Sequence, residues 1–183
     1  ECQGGRACNV PIYFYDLIYP DTPDSSPDVP TDGWNIITAD DFERGSHWGN
    51  YAAGLSESQS IAYPSQDYAC SNLWAIHVNL HDGIASSFAH SVNHDCSSYS
   101  MLRVTFQFQM DGFDHMDTLF MELSLDGGQN YYIVADWALD VDGITANRVC
   151  YNRSVFMVAN DFGERVTFGN QVRLRFRSSA NSL

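Results

Sequence analysis

The sequence predicts an all-β fold, a two-sheet antiparallel sandwich of the jelly-roll kind with an extended N-terminal arm. Apolar and polar residues alternate over residues 101–110 and again over 171–177. This period of two is typical of a strand with one buried face and one wet face. The buried faces are expected to carry Leu102, Val104, Phe106, Phe108, Val172, Leu174 and Phe176.

The polar face of the 171–177 strand consists of Arg173, Arg175 and Arg177. Burying a charge without a partner is costly. These arginines are therefore expected on an outer face, paired with part of the acidic excess.

Further strands are predicted from apolar and aromatic runs bounded by turn residues. Asp126-Gly127-Gly128 supplies the turn of a hairpin between 118–125 and 130–137. Residues 45–66 lack periodicity and are predicted to be a long loop, and no helix is predicted. The remaining predicted strands are 12–19, 34–39, 73–80, 84–91 and 154–158.

The chain is predicted to divide at about residue 33. Residues 20–32 carry four Pro and four Asp, as expected of a linker or extended surface segment. Residues 1–33 are therefore interpreted as an N-terminal arm, and residues 34–183 as the sandwich domain. The chain opens on Glu1 rather than Met, as a processed or trimmed chain would.

The composition makes some classes of binding partner improbable. The formal net charge is −14, and all nine basic residues are arginine. Nucleic acid is an improbable partner because phosphate binding requires a basic surface. No apolar run approaches the ~20 residues that span a bilayer, so no membrane span is predicted.

A glycosylation sequon, together with the start at Glu1 and the absence of Lys, favours a secreted or cell-surface protein. Asn152-Arg153-Ser154 is a glycosylation sequon at Asn152. In an oxidising compartment the five cysteines could form disulfides. Proximity in sequence predicts a clip between Cys2 and Cys8, and elimination predicts a second bridge between Cys70 and Cys96. Cys150 would remain free or pair outside the chain.

The segment Asp40-Asp41-Phe42-Glu43, followed by Trp48-Gly49, resembles the opening of MAM-like domains and related jelly-roll modules of secreted and cell-surface proteins, especially those of algae and other marine organisms. The resemblance continues through the strands at 101–110, 118–125 and 171–177, and covers roughly residues 39–180. It implies an extracellular adhesion, assembly or glycan-recognition module.

The same resemblance implies a structural calcium ion held by Asp41 and Glu43. Ca²⁺ takes six to eight oxygen ligands, so backbone carbonyls and loop acids would have to complete the site. The family pattern also continues with one more strand after Arg177, where this chain ends six residues later. A strand supplied by another copy could fill that place. The candidate donor is the aromatic segment 12–19, with Ile12, Phe14, Tyr15 and Tyr19 as interface residues.

Two further groups of residues resemble metal sites but have simpler explanations. The acidic loops 111–117 and 140–147 are more typical of solvated loops than of calcium sites. His77, Asn79 and His81, with His90 and His94 nearby, could bind zinc only if three or four ligands converged.

Glu122 and Asp126 do not form a recognisable catalytic pair, and no nucleophile elbow is present. No enzymatic activity is therefore predicted. The function predicted is a non-catalytic extracellular structural or adhesion module that assembles with other copies or other extracellular proteins. The alternative is a carbohydrate-binding module, since exposed aromatic rings stack on sugars.

Overall fold

The computed structural model describes residues 6–8, 12–17, 34–40, 51–54, 62–65, 70, 75–79, 86–111, 117–141, 143–163 and 166–179. These residues form twelve strands and one short 3-10 turn, Ala159–Phe162. The strands are β1 Arg6–Cys8, β2 Ile12–Leu17, β3 Trp34–Asp40, β4 Tyr51–Gly54, β5 Ala62–Ser65, β6 Ala75–Asn79, β7 Ser86–His90, β8 Met101–Asp111, β9 Thr118–Ser124, β10 Tyr132–Ala138, β11 Cys150–Val158 and β12 Arg173–Ser179.

The strands form two antiparallel sheets. The first has the order β3-β2-β8-β1-β6-β5, with β11 along the other edge of β8. The second has the order β10-β9-β12-β7-β4. The prediction of an all-β protein with two antiparallel sheets is therefore confirmed.

The core follows from the alternation in β8 and β12. Every residue predicted to point inward on these segments is at most 2% exposed. The Phe106 ring of the first sheet lies 4.9 Å from the Phe176 ring and 5.2 Å from the Trp137 ring of the second, measured between centroids. Aromatic rings bury large apolar areas, and edge-to-face pairs such as these add to that stabilisation.

The predicted hairpin at Asp126 is also present. β9 and β10 pair across it, and Gly127 and Gly128 have φ angles of 76° and 92°. Only glycine adopts such angles without a steric penalty, which explains the glycine pair. The Asp126 carboxylate fixes the turn by accepting hydrogen bonds from the backbone N–H groups of Gln129 and Asn130.

Strand pairing corrects the predicted loop over 45–66. β4 and β5 lie within it and pair with β7 and β6. Neither four-residue strand carries a clear alternation, so pairing with neighbours overrides the weak local pattern.

The N-terminal segment is also corrected. β1 and β2 follow one edge of β8, with Ile12 opposite Phe106 and Arg6 opposite Asp111. The prediction that 1–33 is a separate arm is therefore wrong for these two segments. β2 lies between β3 and β8 of the same chain. Since both of its edges are already paired, Ile12, Phe14 and Tyr15 are not on a strand donated to another copy; Tyr19 lies outside the described residues.

The sheet needs no added strand next to β12. β12 pairs with β9 on one side and with β7 on the other. The backbone of β12 is thus paired within the chain, and the residues after 179 lie outside the described part of the chain.

The disulfide prediction is wrong for Cys70. Cys70 is bonded to Cys150, with the two Cα atoms 5.6 Å apart, and Cys96 is buried in the core away from this bridge. Elimination along the sequence failed because Cys150 opens β11, beside which Cys70 lies in space. Cys2, and the side chain of Cys8, lie outside the described residues.

Candidate functional site

The outer face of the second sheet carries a row of three arginines. Arg173, Arg175 and Arg177 occupy alternate positions of β12, while the intervening Leu174 and Phe176 are buried. The prediction that these arginines pair with acid is confirmed for Arg175 and Arg177, whereas Arg173 donates to the amide oxygen of Asn93. We call these three residues the arginine row.

Glu122 of β9 holds two members of the arginine row. Nε of Arg175 donates to Oε2 of Glu122 at 2.5 Å, and Nε of Arg177 donates to Oε1 at 3.0 Å. The Glu122 side chain is 4% exposed, whereas the two arginine side chains are 27% and 26% exposed. Both oxygens of a buried carboxylate therefore have a charged donor, which offsets the cost of its burial.

Aromatic rings and an amide orient the same guanidinium groups. The Arg175 guanidinium carbon lies 3.7 Å from the centroid of the Tyr131 ring, and that of Arg177 lies 4.3 Å from the centroid of the Phe120 ring. Nε of Arg173 donates to Oδ1 of Asn93 at 2.6 Å. Each arginine is thus held by its Nε or its flat face.

The carboxylate of Asp126 stabilises the turn between β9 and β10. Asp126 accepts hydrogen bonds from the backbone of Gln129 and Asn130 and from the side chains of Asn130 and Ser124. These bonds, that of the Asn130 backbone first, lower the Asp126 pKa to about 2. Glu122 and Asp126, considered above as a catalytic pair, are therefore engaged with arginines and with the turn, respectively.

A histidine pair lies where β7 meets β12. The His90 and His94 rings are 4.4 Å apart, and Nδ1 of His90 accepts a hydrogen bond from the backbone N–H of Leu174. Burial, with the charges of His94 and Arg173, holds the His90 pKa well below its usual value. Burial also lowers the His94 pKa. The side chains of His77, Asn79 and His81 lie outside the described part of the chain.

The predicted calcium residues Asp41 and Glu43 lie outside the described residues. Among the residues that are described, no group of three or more His, Cys, Asp or Glu side chains could hold a metal ion. In the first acidic loop, Asp111 pairs with Nε of Arg148 at 2.8 Å. That contact joins β8 to the loop before β11 and explains the burial of Asp111.

The sequon residue Asn152 is exposed on β11. Its neighbour Ser154 shares a hydroxyl hydrogen bond of 2.9 Å with Thr105 of β8. A glycan at Asn152 would therefore project from a strand that, among the described strands, pairs with β8 alone.

A second candidate surface, missed from the sequence, lies where the two sheets end side by side. β10 is the last strand of the second sheet, and β11 is paired on one edge only among the described strands. Tyr132, Ile133 and Phe156 are 48%, 56% and 56% exposed there. With Val134 and Phe162 they line a cavity of about 340 Å³, and we call these five residues the edge patch.

The signal for this patch was present but weak. Tyr132 and Ile133 are adjacent apolar residues, so one of them must break the alternation of β10. A register shift between Ile133 and Ala135 does so. Such a bulge cannot be located from a single sequence, because it depends on the pairing with β9.

No family model, curated protein or solved structure matches the chain. The MAM-like resemblance and what it implies therefore stay predictions. No helix in the described residues is long and apolar enough to cross a membrane.

Proposed function

We propose that this protein is a non-catalytic extracellular structural or adhesion module that assembles with copies of itself through the edge patch. The observation that carries the proposal is the exposure of Tyr132, Ile133 and Phe156 on two neighbouring strands, each of which pairs along one edge only among the described strands. Contiguous exposed apolar residues are typical of interaction sites.

The extracellular part of the proposal rests on the covalent chemistry. The Cys70–Cys150 disulfide is of a kind that persists in oxidising compartments. The exposed sequon at Asn152 agrees with that location. Secretion and glycosylation are part of the proposal on this basis.

A second copy is the favoured occupant for electrostatic reasons. In a chain of net charge −14, most surfaces of two copies repel each other. The five residues of the edge patch are uncharged, but the exposed Asp161 lines the same cavity, and its Oδ2 atom accepts a hydrogen bond from the backbone N–H of Val158. With this one carboxylate per patch, copies would repel each other less there than over most of their surface, in a two-fold contact in which each patch faces its twin.

The bulge in β10 favours a contact between side chains over the addition of a strand from another copy. Bulges and charges on an edge strand oppose the addition of another strand. β10 has a bulge after Ile133 and the exposed Asp136 beyond it. We therefore propose side-chain packing of Tyr132, Ile133 and Phe156 rather than a continuous sheet.

Sedimentation velocity over a range of protein concentrations tests the proposal. At 0.15 M salt, where the Debye length is about 8 Å, the native protein should associate. Ile133→Asp should weaken association at least about tenfold, because it buries an unpaired charge in each half of the contact. The matched control is Val92→Asp, which introduces the same charge at a valine that is 44% exposed and outside the edge patch. A native protein that stays monomeric, or equal effects of the two variants, would refute the proposal.

Carbohydrate binding is the second candidate function. A cavity of about 610 Å³ lies between residues 97–101 and the 3-10 turn. Ser98, Ser100, Asn160 and Thr167 supply hydroxyl and amide groups, Met101 is among its apolar residues, and none of its described lining residues is charged. This size and lining suit a neutral sugar. Calorimetric titration with neutral oligosaccharides should show binding that Asn160→Ala weakens and Asn152→Ala leaves unchanged; equal loss or no binding counts against it.

A further inference from the structure

We infer that the arginine row is a binding site for the carboxylate or sulfate groups of an acidic polysaccharide. This inference is independent of the edge patch, which lies on the free edge of the sheet rather than on its outer face. It starts from the position of the three arginines on alternate residues of β12. Alternate residues of a strand are about 6.7 Å apart, so the row presents evenly spaced cations.

The arginine N–H groups that would bind an anion are those that the contacts within the protein do not use. Arg175 and Arg177 use Nε for Glu122, and Arg173 uses Nε for Asn93. In the part of the chain that the structure describes, the Nη atoms of these arginines make no hydrogen bond. An arginine binds an oxyanion through paired N–H donors, and Nη atoms supply such donors.

The arginines are also oriented before any ligand arrives. Glu122 and the Tyr131 and Phe120 rings restrict the guanidinium groups of Arg175 and Arg177. Side chains that are already ordered lose less entropy on binding. Two of the three cations pair with the buried carboxylate of Glu122, whereas Arg173 is held by the neutral side chain of Asn93 and has no carboxylate partner among the described residues.

The charges around the arginine row determine how tightly it is expected to bind an acidic polysaccharide. Glu122 lies within it, and Asp126 and the exposed Asp136 lie at its margins. The site therefore has no large positive excess, and the −14 charge of the chain repels polyanions at long range. Salt near 0.15 M screens that repulsion beyond about 8 Å but leaves the direct contacts. We expect modest affinity that depends on hydrogen-bond geometry.

The position of the row favours a polysaccharide over an acidic peptide. An extended peptide gains most of its affinity by pairing its backbone with a sheet edge. β12 lies inside its sheet with both edges paired. A polysaccharide needs only its acidic groups to reach the arginine side chains, of which those of Arg175 and Arg177 are 27% and 26% exposed.

Calorimetry on the full chain tests the site with three probes at 0.15 M salt. Oligogalacturonate carries carboxylates only, a dextran sulfate oligosaccharide carries sulfates only, and poly-glutamate represents an acidic peptide. At least one of the two saccharides should bind more tightly than poly-glutamate, and the tighter of them identifies the group recognised. If poly-glutamate binds at least as tightly as both saccharides, or if neither saccharide binds at millimolar concentration, the inference is wrong.

Arg173 is the residue to change, because its loss leaves both ion pairs of Glu122 intact. Arg173→Gln should weaken saccharide binding at least about tenfold, the loss expected for a charge-assisted contact. Arg173→Lys keeps the charge but lacks the planar guanidinium group with its paired N–H donors. Its affinity should therefore lie between those of Arg173→Gln and the native protein. Arg153→Gln makes the same charge change on β11 and should have little effect. Equal losses in Arg153→Gln and Arg173→Gln, or no loss in Arg173→Gln, would overturn the assignment.

Discussion

Replacing Glu122 by glutamine should destabilise the fold by about 2 kcal/mol. The substitution keeps the size of the side chain and one acceptor oxygen. It replaces the other oxygen by an NH₂ group that faces the N–H of an arginine. One charge-assisted hydrogen bond is lost, and the two arginines lose the charge they share.

The magnitude follows from burial. Hydrogen bonds to charged groups contribute about 1.5–3 kcal/mol to stability. The Glu122 side chain is 4% exposed, so water cannot replace the lost partner on that side. The arginines are about a quarter exposed, so water compensates for part of their loss and the lower half of that range is expected.

Urea unfolding measures the effect through the transition midpoint, with the slope checked for constancy. Asp136→Asn is the matched control, because it removes a carboxylate from an exposed position of β10 and should change stability by no more than about 0.5 kcal/mol. Combining Glu122→Gln with Arg177→Gln should cost less than the sum of the single changes. A loss below about 0.5 kcal/mol in Glu122→Gln, or strict additivity in the pair, would refute the reasoning.

Two further predictions concern the disulfide and the buried histidine. Cys150→Ser should destabilise the protein by about 4 kcal/mol because the bridge closes a separation of 80 residues, and non-reducing peptide mapping should link Cys70 to Cys150; a Cys70–Cys96 peptide would contradict this. The His90 pKa is lowered in the folded state, so stability is fully present above the usual value of 6.5 and falls below it as the unfolded chain takes up a proton. The expected slope reaches at most about 1.4 kcal/mol per pH unit, with His94 and Arg173 as the facing charges. Urea unfolding between pH 5 and 7.5 should show a shallower slope in His90→Asn, and an unchanged slope would contradict the assignment.

The sequence predicted the elements whose pattern is local. The alternation in β8 and β12 identified the buried residues, and the Asp126-Gly127-Gly128 turn located a hairpin. The outward arginines were also predictable, since a strand that buries Leu174 must expose its neighbours. Their partner Glu122 was not predicted, because the register between β9 and β12 determines which carboxylate meets them.

The features that the sequence did not predict depend on long-range placement. Cys150 was assigned no partner because Cys70 lies 80 residues earlier. The segment 12–17 was interpreted as part of an arm because nothing in its residues indicates that β8 has a vacant edge. The edge patch was missed for the same reason, since the exposure of Ile133 depends on which strands end the sheets.

Hydrogen–deuterium exchange at low and high protein concentration tests the proposed assembly most directly. If copies associate through the edge patch, backbone amides around Tyr132–Val134 and Phe156 should exchange more slowly at high concentration, while those of the arginine row should not change. Protection that appears elsewhere in the chain, or none at concentrations where sedimentation shows association, would contradict the account.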